Sequence, residues 1–544
     1  MNFKVNETAT KLRGGYYTPI NLAAFLTRWV LAKKPNDLLE PSCGDGAFVE
    51  ALAVVGASSV KTLTAFDIEA SETAKARRKA KKISGLQSRV HTGDFLAWSL
   101  DNYDTERFDA AVGNPPFIRY QYLSETMQAN AERIFKHFNL PFTKHTNAWV
   151  SFVISSLAML RPEGRFAMVL PAEILHVLHA QSLRTFFCSQ CSRIMIFDPQ
   201  ELWFDGALQG AVLVLAEKKA MPTDRCYGVS ICQTKSNAFL SDDPDAYFSS
   251  AEYVNGETVV GKWMKALLTH SERELLQSVV SNKDVFSFKQ LAHVDVGIVT
   301  GANKFFLVSD DVVDKFGLGQ WARPMFGRSE HVPGVIYDQK THKTNKKIGL
   351  PANFICFPND VQFADLPEKV QQYILSGEAE KLHERYKCGS RTPWFSVPSV
   401  YTTPVAMLKR SHHFHRLILN SAEAYTTDTA YRIELQNVDG KRLVYSFINS
   451  LTALSAELEG RHYGGGVLEL VPSEIEKLLI PLPQSVIVDL KGLDKAVRTT
   501  STPEAIMSEQ DAKILTALGL KKSEQSELLT AWLNLKRRRL RSEE

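Results

Sequence analysis

The chain has 544 residues, which is too long for a single ordinary core, so two or three folded units are expected. Hydrophobic residues make up 44% and charged residues 23%, a balance that excludes wholesale disorder. The formal charge of +4 permits a nucleic-acid partner without demanding one. No apolar run approaches the roughly 18 residues needed to span a bilayer, and no signal-peptide pattern is expected at the N-terminus, so membrane and secreted classes are excluded.

Seven cysteines in a chain of this length do not form a disulfide framework. The one close pair, Cys188-x-x-Cys191, has no second pair or histidine cluster beside it, whereas a structural zinc site usually needs four ligands. We therefore expect buried thiols, no metal and a cytoplasmic, reducing location.

In chain order, short apolar runs alternate with helical stretches through the first 220 residues. The predicted strands are Asp37–Glu40, Val60–Phe66, Arg89–Thr92, Phe108–Gly113, Arg165–Leu170, Arg193–Phe197 and Gly210–Ala216. The predicted helices between them include Ile20–Ala32, Ala47–Val55, Glu72–Lys82, Asn147–Leu160 and Ala172–Phe187. This alternation predicts an α/β fold with a doubly wound, mostly parallel, seven-stranded sheet. The last two strands lack an intervening helix, so they should form an antiparallel hairpin that closes one edge.

The periodic pattern weakens after about Lys218, which indicates the end of the first domain and the start of a linker. We predict a catalytic domain over residues 1–240 and a second domain, of the α+β class, over residues 257–544. The second domain is rich in aromatic residues and is punctuated by Gly and Pro. It ends in a charged helical stretch, and its last basic residues, Arg537–Arg541, are expected to form a solvated tail, with contact to a phosphate backbone as the alternative.

The first motif with chemical meaning is the turn between the first strand and the following helix, Glu-Pro-Ser-Cys-Gly-Asp-Gly. Gly44 and Gly46 allow a tight turn and a close approach of a ligand over the helix N-terminus. The usual dinucleotide spacing of three glycines is absent. Glu40 and Asp45 would repel a pyrophosphate and suit a ligand that carries an ammonium or a sulfonium.

Acidic residues also end the second and third strands. Asp67 is placed to accept hydrogen bonds from ribose hydroxyls, and Ile68 could lie against an adenine ring. Asp94 could accept from an exocyclic amine, with Phe95 packed beside it. Each acid alone is more often a helix cap, but acids that follow three successive strands share one crevice.

The most specific motif is Asn114-Pro-Pro-Phe117, directly after the fourth strand. The two prolines stiffen the loop and remove backbone donors, so its carbonyl groups point outward. The Asn114 side-chain oxygen and the Pro115 carbonyl can then both accept from one NH2 group, while Phe117 offers a flat face to an aromatic ring. This set of groups suits an exocyclic amine on a planar base.

Together these motifs resemble the S-adenosylmethionine-dependent DNA methyltransferases that modify adenine N6, in the gamma arrangement and of the restriction–modification type. The resemblance covers about residues 10–490. It implies S-adenosyl-L-methionine as the cofactor, and the residues that it assigns to cofactor binding are Tyr17, Thr18, Pro19, Glu40, Ser42, Cys43, Gly44, Asp45, Gly46, Asp67, Ile68, Asp94 and Phe95. It assigns catalysis to Asn114, Pro115, Pro116 and Phe117, and stacking on the target base to Phe117 and Phe204, with Trp203 as a competitor. Phe117 stands where many members have Tyr, which keeps the ring and loses only the hydroxyl.

The resemblance implies a site-specific enzyme that flips an adenine out of duplex DNA, with the second domain reading the target. Its expected partners are double-stranded DNA and a separate restriction endonuclease or defence system, without a membrane. Alternatives that remain open are methylation of an RNA base amine, of cytosine N4 or of a protein glutamine, and a non-catalytic DNA-binding specificity protein.

Overall fold

A computed structural model describes residues 17–200, 210–255, 261–398, 400–463, 465–499 and 502–540. The chain divides into two compact units, and the division falls between Leu268 and Thr269. Trp203 and Phe204, the two candidates for a second stacking ring, lie outside the described residues. Within the described segments, every helix is too short or too polar to cross a bilayer.

The first unit is built around an eight-stranded sheet with the order β3-β2-β1-β4-β5-β7-β6-β8. Its strands are β1 (Asp37–Glu40), β2 (Thr62–Asp67), β3 (Gln87–Thr92), β4 (Phe108–Gly113), β5 (Leu160–Pro171), β6 (Cys191–Pro199), β7 (Ala211–Lys218) and β8 (Gly228–Thr234). Strands β1 to β5 pair in parallel, and β7 runs antiparallel to both β5 and β6. The doubly wound α/β fold predicted from the alternation of strands and helices is therefore confirmed.

Two details of the predicted sheet are wrong. The sequence predicted seven strands and a linker after Lys218, but β8 forms an eighth strand that pairs in parallel with β6. An outer strand has a neighbour on one side only, so β8 needs few apolar residues and shows no continuous apolar run. The antiparallel strand β7 also lies inside the sheet, between β5 and β6, rather than at its edge. Its first six residues are all buried, as an inner position requires.

Helices pack on both faces of this sheet. They are α1 (Ile20–Leu31), α2 (Ala47–Val55), α3 (Ala70–Ala80), α4 (Phe95–Asn102), α5 (Glu125–His137), α6 (Ala148–Ala158), α7 (Gln181–Gln190) and α8 (Pro244–Ser250). The helix predicted over Ala172–Phe187 starts only at Gln181, because two short 3₁₀ turns precede it. Helices α4 and α5 were missed by the sequence analysis, and both border the cavity described below.

The described residues of the second unit form four small sheets with short strands, and their mixture of strands and helices is of the predicted α+β class. Its strands are β9 (Val285–Ser287), β10 (Ala292–Val296), β11 (Leu307–Val308), β12 (Ala322–Phe326), β13 (Ile336–Tyr337), β14 (Asn353–Ile355), β15 (Val405–Leu408), β16 (Arg410–Ser411), β17 (Leu417–Asn420), β18 (Tyr425–Thr426), β19 (Ala430–Leu435), β20 (Arg461–Tyr463), β21 (Val467–Glu469) and β22 (Leu479–Pro481). Its helices are α9 (His270–Val280), α10 (Asn303–Phe306), α11 (Asp310–Phe316), α12 (Gln339–Lys347), α13 (Glu368–Ala379), α14 (Tyr386–Gly389), α15 (Gly440–Ser446), α16 (Ser450–Glu459), α17 (Pro472–Ile475), α18 (Leu490–Thr499), α19 (Pro503–Ala517) and α20 (Lys522–Leu540).

The basic end of the chain is not simply a solvated tail. The Arg539 side chain is fully buried on α20, and its guanidinium donates to both carboxylate oxygens of Glu457 on α16 at 2.8–3.1 Å. Burial alone would raise the pKa of Glu457, but the charge of Arg539 and the hydrogen bonds lower it to about 2. This buried pair fixes α20 against α16, so the predicted solvated tail is wrong at Arg539.

Candidate active site

A cavity of about 250 Å³ opens at the carboxyl ends of β1 to β4. The strand order reverses between β1 and β4, and a crevice for a ligand forms at such a switch point in an open α/β sheet. The cavity lining contains eleven of the predicted site residues: Tyr17, Thr18, Ser42, Cys43, Gly44, Asp45, Asp67, Ile68, Phe95, Asn114 and Pro116. Five segments that are far apart in the sequence therefore meet in one place.

The other predicted site residues in the described part of the chain do not line the cavity. Pro19 precedes α1, and Gly46 precedes α2. Pro115 is buried, and Phe117 is half-buried and packs against the hydrophobic core of the first unit. Glu40 and Asp94, which also lie outside the lining, are described below, and Phe204 lies outside the described residues.

The two glycines of the turn after β1 serve different purposes. Gly44 has φ +48°, and a Cβ built there would meet no atom within 4 Å, so its backbone borders open space. Gly46 has φ +85°, and a Cβ there would lie 2.9 Å from the Cα of Ala76 on α3. Gly46 thus lets α2 begin close to α3, and Gly44 keeps the backbone of the turn accessible to a ligand.

Asp67 holds this turn in place from the end of β2. One of its carboxylate oxygens accepts from the Gly44 backbone N–H at 3.0 Å, and the other accepts from the Glu69 N–H at 2.9 Å. Burial raises the pKa of Asp67, although these two backbone hydrogen bonds act against the rise. Each oxygen keeps a further lone pair, so the carboxylate can still accept from ligand hydroxyls.

Glu40, at the end of β1, is the most unusual acid of the region. It is 1% exposed, and neither of its carboxylate oxygens has a hydrogen-bond donor within the described residues. Burial, followed by the charges of Asp67 and Asp45, raises the pKa of Glu40 well above its ordinary value of 4.5. Burying a carboxylate without a donor is costly, so a nearby positive charge would stabilise its ionised form.

The charge of Lys79 acts to lower the pKa of Glu40, but Lys79 is itself ion-paired with Asp45 at 3.4 Å and with Glu50 at 3.0 Å. The cavity lining in the described part of the chain includes no Lys or Arg. It includes four acids instead, namely Asp45, Asp67, Glu69 and Glu72. Apolar side chains border the same space, and those of Tyr17 and Ile68 are about half exposed. An acidic cavity with flat apolar walls fits a ligand that combines a cationic group with an aromatic ring, as S-adenosyl-L-methionine does.

Asp94 acts as a helix cap at the end of the next loop. It accepts from the Leu96 backbone N–H at 2.9 Å at the start of α4, and its other oxygen accepts from the Asn130 amide of α5 at 2.9 Å. Asn130 is a residue that sequence reasoning missed, because α5 itself was missed. The role of Asp94 in holding the adenine of the cofactor stays a prediction.

The Asn114 loop is tied to the cofactor side of the cavity at two points. The Ser42 hydroxyl donates to the Asn114 backbone carbonyl at 2.9 Å, and the Asn114 amide nitrogen donates to the Thr18 hydroxyl at 3.2 Å. In this arrangement the amide nitrogen of Asn114 faces Thr18, and the amide oxygen faces the other way. No spacing rule could have predicted either partner.

Further lining residues were not singled out from the sequence. Glu69, Ser71 and Glu72 come from the turn after β2 and the start of α3, while Met127 comes from α5 and Phe152 from α6. Of these residues, only Glu69, Ser71 and Glu72 could have been found from the sequence. They follow β2 directly and must therefore lie at the same edge of the sheet as Asp67. In the described part of the chain no cluster of three or more His, Cys, Asp or Glu side chains could hold a metal, and none of the seven cysteines, all of which lie in that part, forms a disulfide.

Two family descriptions match almost the whole chain. Residues 3–279 match N-6 DNA Methylase, and residues 260–515 match the C-terminal domain of Type II methyltransferase M.Eco57I. The chain belongs to the N-6 DNA methylase family. This match confirms the activity that the sequence predicted. The chain is an enzyme of the restriction–modification type that methylates adenine N6 in DNA with S-adenosyl-L-methionine.

Individual relatives are distant. Type II methyltransferase M.AccI of Acinetobacter calcoaceticus is 21% identical over 496 residues, which are 88% of this chain and 86% of that protein. Type II methyltransferase M.XamI of Xanthomonas campestris pv. amaranthicola is 18% identical over 478 residues, with 86% and 85% coverage. Among solved structures, the DrdV–DNA complex aligns with this N-6 DNA methylase at 11% identity and a TM-score of 0.49. The alignment covers 87% of this chain and 56% of the DrdV chain.

Proposed function

We propose that this N-6 DNA methylase methylates an adenine that it has flipped out of duplex DNA, with Asn114, Pro115, Pro116 and Phe117 as the catalytic loop. The observation that carries the proposal is the position of Asn114 on the wall of the acidic cavity, with its amide nitrogen held by Thr18. An adenine inside a duplex cannot reach this wall, so extrusion at a cost of a few kcal/mol is part of the proposal.

The chain's own residues would hold the cofactor as follows. The backbone of Gly44 and the acids Glu40 and Asp45 would face the cationic amino-acid end, and Asp67 would accept from the ribose hydroxyls. Tyr17 and Ile68 would border its adenine. When bound, S-adenosyl-L-methionine supplies an electrophilic methyl group on a sulfonium.

The amino nitrogen of adenine is a poor nucleophile, because its lone pair is delocalised into the ring. If the Asn114 oxygen and the Pro115 carbonyl accept the two amino hydrogens, the nitrogen becomes pyramidal and its lone pair localises. The same two oriented dipoles stabilise the positive charge that develops on nitrogen, and the surplus proton then leaves to solvent. Phe117 would stack on the extruded base; Phe204 is a second stacking candidate from the sequence alone.

We also propose that residues 257–544 read the DNA sequence while residues 1–240 carry catalysis, in the gamma order of motifs. The order of the cofactor turn, the Asn114 loop and the second unit along the chain supports that arrangement. A separate restriction endonuclease and a cytoplasmic location complete the proposal, and seven cysteines without a disulfide among the described residues fit a reducing compartment.

The decisive experiment incubates the purified protein with labelled S-adenosyl-L-methionine and duplex DNA and then maps the modified base. The substitution Asn114→Ala should reduce transfer about a hundredfold or more, the scale of losing one transition-state hydrogen-bond group, while cofactor and DNA binding persist. Asn36→Ala is the matched control, because Asn36 is exposed beside the opposite end of β1. Near-normal transfer by the Asn114 variant, or label on RNA rather than on duplex DNA, would reject the proposal.

A further inference from the structure

The second unit contains one helix with an unusual distribution of charge. Helix α12 carries four lysines in nine residues, and the stretch 339–359 contains no Asp or Glu. Of the four, Lys346 is ion-paired with Asp310 at 3.0 Å. Lys340, Lys343 and Lys347 are exposed and lie at positions i, i+3 and i+7, which places them on one face of the helix.

The opposite face of α12 is fixed by polar contacts. Asn345 donates to the His331 carbonyl at 2.8 Å, and His342 is hydrogen-bonded to the Tyr337 hydroxyl at 3.1 Å. At the start of the helix the Asp338 carboxylate accepts from the Thr341 N–H at 2.8 Å. The lysine face is therefore presented by a helix that is held at its start, its middle and its end.

We propose that this lysine face, made of Lys340, Lys343 and Lys347, binds the phosphate backbone of the DNA duplex. The inference rests on the proposed function, which supplies the duplex, and it adds the surface that positions this duplex without reading its bases. The shallow concavity along the face is lined by the three lysines together with Gln339 and Thr344. Ammonium, amide and hydroxyl groups are all donors to phosphate oxygens.

The spacing and the charge of the three lysines both suit the phosphate backbone of a duplex. Seven residues of helix advance about 10 Å. A duplex presents about three phosphates per strand over that length, at roughly 3.4 Å per charge along the axis. Three cations on such a length thus meet a comparable number of anions. An acidic protein would have to match the same spacing with carboxylates, whereas the duplex provides it by its regular geometry.

The test measures the affinity of the full-length protein for a labelled duplex of about 30 base pairs over a series of salt concentrations. The slope of log affinity against log salt is negative, and each phosphate contact that is lost makes it less steep by about 0.9. The triple variant Lys340→Gln, Lys343→Gln, Lys347→Gln should therefore make the slope less steep by about 2.7. The loss of affinity should be the same for a duplex that contains the enzyme's target sequence and for a scrambled duplex, because phosphates carry no sequence information.

A matched control removes three exposed lysines that are scattered over the same unit, in the variant Lys283→Gln, Lys369→Gln, Lys495→Gln. It has the same net charge as the α12 variant, so a slope change common to both would overturn the proposal. A loss restricted to the target duplex would also overturn it, since it would indicate base reading. If the wild-type protein fails to bind any duplex, the proposed function fails, and this outcome is distinct from the failure of the lysine face alone.

Discussion

The hydrogen bond between Thr18 and Asn114 gives a sharp test of how the catalytic amide is positioned. Thr18 is 8% exposed, and its hydroxyl accepts from the Asn114 amide nitrogen at 3.2 Å. The substitution Thr18→Val keeps the branched shape of the side chain and removes the acceptor. The amide can then rotate, and its oxygen is held toward the target amine for only part of the time.

The expected loss follows from the value of one hydrogen bond. A net contribution of about 0.5–1.5 kcal/mol corresponds to a roughly 2- to 13-fold lower kcat. The loss should appear in kcat rather than in KM for DNA, because Thr18 acts on the transition state through Asn114. The Kd for S-adenosyl-L-methionine is measured separately, since Thr18 also lines the cofactor cavity. Steady-state and single-turnover methylation assays with separate cofactor titration measure these three quantities.

Thr18→Ser is the matched variant, since it keeps the hydroxyl and removes only a methyl group. It should recover most of the kcat that Thr18→Val loses. Equal losses in both variants would indicate that packing matters rather than the hydrogen bond. A weaker cofactor affinity with unchanged kcat would refute the positioning role and leave Thr18 as a cofactor ligand alone.

The remaining predictions concern the charge of Glu40, the backbone at Gly46 and the buried pair of Arg539 and Glu457. The affinity for cationic S-adenosyl-L-methionine should rise as pH increases from about 4.5 through the raised pKa of Glu40, and Glu40→Gln should flatten this rise in calorimetric titrations. Without cofactor, the wild-type protein should become less stable as pH rises from about 4.5 through the raised pKa of Glu40. The reason is that the Glu40 carboxyl stays protonated to a higher pH in the folded state than in the unfolded state. Gly46→Ala should lower Tm in thermal unfolding, because its φ of +85° is unfavourable for Ala and its Cβ would meet α3. Arg539→Ala should destabilise the second unit by about 3–5 kcal/mol in denaturant unfolding, since it leaves the buried Glu457 charge with His462 at 3.4 Å but without its arginine partner.

Each of these has an outcome that contradicts it. Identical pH profiles for Glu40→Gln and the wild type would remove Glu40 from cofactor binding. An unchanged Tm for Gly46→Ala would mean that α2 and α3 move apart at no cost. For the buried pair, the double variant Arg539→Met, Glu457→Met should recover much of the stability; if it is no more stable than Arg539→Ala, packing rather than the unpaired charge explains the loss.

The sequence alone was sufficient to predict the parts of this methylase that depend on a few consecutive residues. The turn with Gly44 and Gly46, the acid Asp67 at the end of β2 and the Asn114 loop each occupy a few consecutive residues, and each follows an apolar strand. Because parallel strands end at one edge of a sheet, their order in the chain was enough to predict a shared crevice. The same local periodicity predicted seven of the eight strands of the first sheet.

Only the tertiary structure decided which groups hold these motifs in place. Thr18 and Asn114 are 96 residues apart, Asn130 and Asp94 are 36 apart, and Arg539 and Glu457 are 82 apart. Such pairs leave no periodic trace, because a hydrogen bond depends on two side chains meeting in space and not on what lies beside either of them. The burial of a charged side chain also cannot be predicted from its neighbours in the sequence. Arg539 belongs to a run of arginines that is typical of a surface, yet its side chain is buried. Glu40 has no unusual neighbours, yet it is a buried acid without a donor in the described part of the chain.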